Sequence, residues 1–168
     1  VALRDQNSER LGSANQFVEV PDLNKGRLTL SSILLRHARG AASGVDHAEG
    51  QVADADPVNT AALRVFKPGD ALTYQYLVFN AQTDSAQKTE LEVQTHIFRD
   101  GKQVYAGQPM LPDLAGQANT RRLLAGGHMT LAKAIDPGDY VLQLIVTDKL
   151  AKQKYQAVSQ WIDFEVRK

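Results

Sequence analysis

The stretch Val65–Asn80, VFKPGDALTYQYLVFN, decides the fold class. Val65 and Phe66 halt at Lys67-Pro68-Gly69-Asp70, where Pro68 presets φ and Gly69 is free to take φ > 0, as a type II turn demands. Leu72, Tyr74, Tyr76 and Val78 then alternate with Thr73, Gln75, Leu77 and Phe79, which puts one set on each face of a β-strand. The device recurs: Ala134 and Ile135 precede Asp136-Pro137-Gly138-Asp139, and YVLQLIVTD follows. Two strands, each entered through a Pro-Gly type II turn, mark a β-sandwich.

Working outward, ELEVQTHIFR (Glu90–Arg99) and KQVYA (Lys102–Ala106) are separated by Asp100-Gly101, the pair suited to a tight type I′ hairpin. RLTLSSILLR (Arg27–Arg36) is a strand whose phase shifts at Ser31 and Ser32, the mark of a bulge or a change of sheet. Gly107 to Gly127 is rich in Gly, Pro and Ala and is expected as a long loop holding one short strand around Arg121 to Leu124. MTLAKAI (Met129–Ile135) and YQAVSQWIDFEV (Tyr155–Val166) complete the set. No segment holds a helical period. About seven to nine short strands bounded by turn signals predict an all-β fold, an antiparallel sandwich of immunoglobulin or fibronectin type III kind over residues 27–168. The chain has no cysteine, so the immunoglobulin Cys, Trp, Cys pattern is missing and the likeness is architectural. Residues 37–62 form a second long loop, of a length unusual inside a compact domain.

Val1–Arg4 and Gln16–Val20 both read as extended and flank a polar loop with Asp5, Asn7, Ser8 and Gly12, which suggests a hairpin. Pro21 ends its ladder, and 21–26 reads as a linker. Gln16-Phe17-Val18-Glu19-Val20 matches Gln160-Trp161-Ile162-Asp163-Phe164 position by position in residue type. Residues 1–20 are therefore expected to be the terminal hairpin of a preceding module, or an assembly strand. Val1, Leu3, Phe17, Val18 and Val20 are the candidate partner contacts. An isolated two-stranded hairpin is marginal in water, so it must dock on its own domain, a neighbour or another copy. A start at Val1 without Met is expected of a processed or excised chain.

Composition narrows the function classes. The 168 residues suit one ordinary domain, and 19 Lys and Arg balance 19 Asp and Glu. No field of either sign is available to draw nucleic acid or an anionic membrane. Absence of cysteine excludes disulfides, thiol catalysis and thiolate metal sites. No apolar run approaches the roughly 20 residues of a membrane-spanning helix.

Candidate chemistry is sparse. His37, His47, His96 and His128 are scattered without metal spacing, and satisfied or surface histidines are the ordinary reading. Asp46, His47, Glu49, Asp54 and Asp56 offer oxygen ligands for Ca²⁺ but lack the spacing and fixed glycine of a calcium loop. No serine sits in a G-x-S-x-G elbow. Gly126-Gly127 before His128 reads as strand entry rather than an anion nest. Arg121-Arg122 is too small a basic pair for nucleic acid, and Trp161 is expected as a core or inter-sheet aromatic. No catalytic constellation, metal site or cofactor site emerges, so a non-enzyme is expected.

The strings GSANQFVEVPDLNKGRLTLSSILL, RVFKPGDALTYQYLVFNA, IFRDGKQVYAG and PGDYVLQLIVTDKLAKQKYQAVSQWIDFEV closely resemble the C-terminal β-rich region of the VWFA-related proteins typical of Acidobacteria. The resemblance covers nearly the whole chain, most strongly from Arg64 onward. It implies an accessory β-sandwich in an extracytoplasmic setting, with a von Willebrand factor A-type domain elsewhere in the parent chain. That domain's Asp-x-Ser-x-Ser metal motif has no counterpart here, so its cation binding does not carry over. The function expected is a non-catalytic module of an exported surface or envelope protein, serving adhesion, spacing or assembly with a protein partner or another copy of itself. The alternatives are a filament subunit joined by N-terminal β-strand addition, and a carbohydrate-binding or hydrolase accessory domain.

Overall fold

The computed structural model describes residues 2–4, 11–13, 21–38, 63–117 and 119–168. Its strands are β1 (Ala2–Arg4), β2 (Leu11–Ser13), β3 (Thr29–Leu30), β4 (Leu34–His37), β5 (Val65–Phe66), β6 (Ala71–Phe79), β7 (Leu91–Arg99), β8 (Lys102–Ala106), β9 (Arg122–Thr130), β10 (Gly138–Asp148) and β11 (Ala157–Val166). Among the described residues the helical elements are two short 3₁₀ turns, Leu23–Lys25 and Gln153–Tyr155.

Two sheets face each other across one core. The first runs β5-β11-β10-β7-β8, antiparallel throughout except that β5 lies parallel to β11. The second centres on β6. Since β9 pairs with β6 over all nine residues, β3 and β4 share the opposite edge. The fold is an all-β sandwich.

Alternation places the core. The alternation in β6 is the one the sequence shows, and its Leu72, Tyr74, Tyr76 and Val78 face is the buried one, meeting Tyr140, Leu142, Leu144 and Val146 of β10 across the gap. Leu91, Val93 and Ile97 of β7 and Phe164 and Val166 of β11 complete the five-stranded side. Burying such side chains stabilises each position by about 1.5–3 kcal/mol, which is why a period of two fixes which face turns inward.

The phase shift at Ser31 and Ser32 is a bulge. Leu30 opposes Val78 and Leu34 opposes Gln75, so four steps on one strand match three on the other. Leu28 and Leu30 before it, and Ile33 and Leu35 after it, all stay buried. Ser31 N–H donates to Leu77 O, and Leu77 N–H donates to Ser31 Oγ at 2.8 Å. The hydroxyl thus takes the ladder position that the bulge vacates, which keeps the Leu77 N–H paired.

The turns divide. Asp70 N–H donates to Lys67 O with Gly69 at φ +87°, a closed type II turn as expected. Asp100 and Gly101 both have positive φ, as the I′ hairpin between β7 and β8 requires. The second Pro-Gly pair departs from expectation. Gly138 has φ +146° and opens β10 directly, while the hydrogen-bonded turn lies earlier, from Ala132 O to Ile135 N–H.

Other differences lie near the chain start and β9. The N-terminal hairpin pairs Ala2 with Ser13 and Leu3 with Gly12, so its second strand is Leu11–Ser13 and Gly12 belongs to a strand rather than the loop. Gln16–Val20 lies outside the described residues. The 21–26 stretch holds a 3₁₀ turn capped by Asp22 and tied down by Asn80 Nδ2 on Leu23 O. The strand expected over Met129–Ile135 is instead β9, which starts at Arg122 and ends at Thr130, so the loop after Gly107 stops well before Gly127. Gly126 and Gly127 sit in mid-strand. The glycines hid the alternation of Leu123, Ala125 and Met129.

Candidate interaction site

Every sheet has edges, and how each is treated shows where a partner could attach. The β3–β4 edge is broken by its bulge. The outer edge of β11 is partly covered by β5, and Gln160 Oε1 accepts from Trp161 N–H while Gln160 Nε2 reaches Ser31 O. The edge strand β8 is five residues long. It carries an extra residue at Val104, between the pairs Phe98–Gln103 and Ile97–Tyr105.

The outer edge of β9 is treated in two ways. Leu77 spends its backbone on Ser31, on the far side of β6. Its partner Leu124 therefore points N–H and C=O away from β6, and by strand parity so do Arg122, Gly126, His128 and Thr130. In the first half three of these groups are met. Arg122 N–H donates to Asn119 O, and the Gln117 amide both accepts from Leu124 N–H and donates to Leu124 O, each at 2.7 Å. Gln117 thereby imitates a neighbouring strand. In the second half, Gly126 and His128 have no hydrogen-bond partner for these groups among the described residues. Gly126, His128 and Thr130 are also exposed.

Beneath this bare half lies a groove of about 810 Å³, between the β9 side of one sheet and the β8 side of the other. Its apolar lining includes Val104, Tyr105, Met110, Met129, Leu131 and Ile135. Val104, Tyr105 and Met110 are exposed. Gly107, in the groove wall, and Gly127 admit close neighbours: a Cβ on Gly127 would meet the Tyr74 hydroxyl at 2.4 Å, and one on Gly107 would meet Thr95 Oγ1 at 2.6 Å. The Tyr74 ring thus lies against Gly127, its cross-strand neighbour. Burial, with Tyr105 adding to it, pushes the Tyr74 hydroxyl above its ordinary range, so it stays protonated and neutral. At one end Arg99 donates to Asp136 at 3.0 Å and to Pro137 O at 3.1 Å. Arg99 also lies 3.7 Å from the Asp100 carboxylate, so its charge is shared between two acids at this end of the rim.

A second surface is the outer face of β7, β10 and β11. Trp161 was expected inside but is 58% exposed, because it falls on the odd positions of β11, opposite Gln143 and facing outward. His96 continues the same row, 6.2 Å from the Phe98 ring.

The remaining candidates are dispersed. His37 braces the first Pro-Gly corner, with Nε2 at 2.8 Å from Val65 O and Nδ1 at 3.5 Å from Asp70 Oδ2. His128 is on the β9 edge, and Leu3 is in the β1–β2 hairpin. Val1, Phe17, Val18, Val20 and the acidic stretch 46–56 with His47 lie outside the described residues. Among the described residues no group of three or more His, Asp or Glu is arranged to hold a metal ion, and no helix is long and apolar enough to cross a membrane. Sequence reasoning missed Gln117 and the β9 edge. Reading Leu123, Ala125, Gly127, Met129 and Leu131 as one alternating set, through the glycine, would have found the strand. No protein-family model and no characterised protein matches the chain.

Proposed function

We propose that this chain is a non-catalytic, immunoglobulin- or fibronectin III-like module of an exported bacterial surface or envelope protein, acting through protein–protein contact in adhesion, spacing or assembly. The observation that carries the contact reading is the apolar groove beside a strand edge that has no partner among the described residues, a combination suited to binding polypeptide. The strand order supports the kinship. So does the Tyr140 hydroxyl, which donates back to Asp136 O at 2.7 Å, as in a tyrosine corner. The exported setting, and an A-type domain in the parent chain, rest on the resemblance of residues 64–166 to VWFA-related proteins.

The bare half of β9 favours a second reading, a self-assembling subunit joined by β-strand addition. A head-to-tail contact of that kind builds filaments when its rotation does not close. Light scattering and negative-stain microscopy of the chain with and without residues 1–20 test it. Assemblies that vanish on truncation support assembly. Monomers in both cases overturn self-assembly and leave a spacing or adhesion module.

A further inference from the structure

We infer that the second half of β9, Gly126–Thr130, is the acceptor edge for Gln16–Val20 of a second copy of this chain. The inference rests on the assembly reading above and names both sides of its contact.

Elimination supplies the acceptor. The other edges of the two sandwich sheets are interrupted by a bulge at Ser31–Ile33, covered by β5 and the Gln160 amide, or distorted at Val104. Within β9 the Gln117 amide closes the first half at Leu124. Gly126 and His128 remain, two residues apart, each offering an outward N–H and C=O. That is the spacing at which an added strand forms its ladder. No lysine or proline guards this half, although such residues are the usual protection of an open edge.

The groove specifies the occupant. A strand laid along β9 turns alternate side chains inward, over Met129, Leu131 and Ile135 on one side and Val104 and Tyr105 on the other. It must therefore be apolar at alternate positions and uncharged on that face. Gln16–Val20 is five residues long, as is the bare half of the edge, and places Val18 and Val20 at alternate positions with Glu19 on the opposite side. Its counterpart, Gln160–Phe164, is part of β11, where Ile162 packs against the core and Phe164 is buried. By that correspondence Val18 and Val20 are the inward-facing pair.

A complementation experiment with the full chain tests this. His128→Pro removes an outward N–H from an exposed position, and the β6–β9 ladder keeps all its bonds, so the acceptor is lost without a loss of fold. Val18→Lys with Val20→Lys removes the donor. Sedimentation velocity of the wild-type chain is expected to show concentration-dependent association that each variant abolishes. A mixture of the two variants is expected to restore a heterodimer, because one retains the donor and the other the acceptor. Unchanged thermal melting of His128→Pro checks that it still folds. Association that survives His128→Pro overturns β9 as acceptor while keeping the assembly reading. A wild-type chain monomeric at millimolar concentration overturns both. A monomer whose melting temperature falls in the Val18, Val20 variant overturns the second-copy occupant in favour of docking on its own domain.

Discussion

Lys67–Asp70 and Asp136–Asp139 share a Pro-Gly-Asp sequence and both stand before a long core strand, yet they are closed by different forces. The first is closed locally. Asp70 N–H donates to Lys67 O at 3.0 Å, and Lys67 N–H donates to the Asp70 carboxylate at 2.8 Å, so four residues satisfy one another. The second is closed from outside. The Tyr140 hydroxyl, four residues on, takes Asp136 O, and Arg99 from β7 takes Pro137 O and the Asp136 carboxylate. Those contacts pull Gly138 out to φ +146° and let β10 begin immediately after Pro137. A turn motif thus has one outcome when its own residues supply the hydrogen bonds, and another when a buried tyrosine and a neighbouring strand supply stronger ones.

The comparison breaks most visibly at Tyr140. Its ring is 3% exposed and stacks on Phe164 with centroids 5.5 Å apart. Tyr140→Ala is expected to cost about 3–5 kcal/mol in denaturant unfolding, as for other large buried aromatics. Tyr140→Phe isolates the hydroxyl and is expected to cost about 1 kcal/mol. A Phe variant as stable as wild type would show that the hydroxyl does not close the second corner.

The two glycines sharpen the contrast at the next level. Gly138→Ala forces a side chain into backbone space that is essentially glycine's and is expected to destabilise by about 1–3 kcal/mol. Gly69→Ala meets ordinary left-handed strain at φ +87° and is expected to lose about 1–2 kcal/mol. A Cβ at either site has its nearest neighbour at 3.5 Å, so crowding does not explain the difference. If Gly69→Ala proved the costlier change, the local corner would be the more constrained one.

The smallest effect belongs to Asp70→Ala. It removes the carboxylate from Lys67 N–H but leaves the backbone bond of the turn, and is expected to cost about 0.5–1.5 kcal/mol in the same assay. Loss of the whole fold would show instead that the first corner also depends on contacts from outside, through His37.

Much of the sandwich was legible in the residues. Alternation in Leu72–Phe79 and the Asp100-Gly101 hairpin each correspond to a local rule with a single geometric solution, whereas the shift at Ser31 left a bulge and a change of sheet open until the register with β6 decided for the bulge. The beginning of β9 was not legible. Gly126 and Gly127 look like loop residues because nothing in their neighbourhood announces the Tyr74 ring that occupies the space a side chain would need. Trp161 was misplaced for a related reason. Aromatic character argues for burial, but the register with Gln143 fixes it on the outer face, and register is a property of the pair of strands.

The candidate site followed the same division. The sequence offered Val18 and Val20 as a strand without a core. That β9 has one half closed by Gln117, seven residues before Leu124, and one half without a partner among the described residues depends on how a loop folds back. The sequence by itself determined the alternation of the long strands, the type II turn at Lys67–Asp70 and the I′ hairpin at Asp100-Gly101, because each follows from steric limits on a few neighbouring residues. Only the tertiary structure decided the geometry of the second Pro-Gly corner, the outward face of Trp161 and the open edge of β9, because each depends on groups distant in the chain competing for the same hydrogen bonds and space.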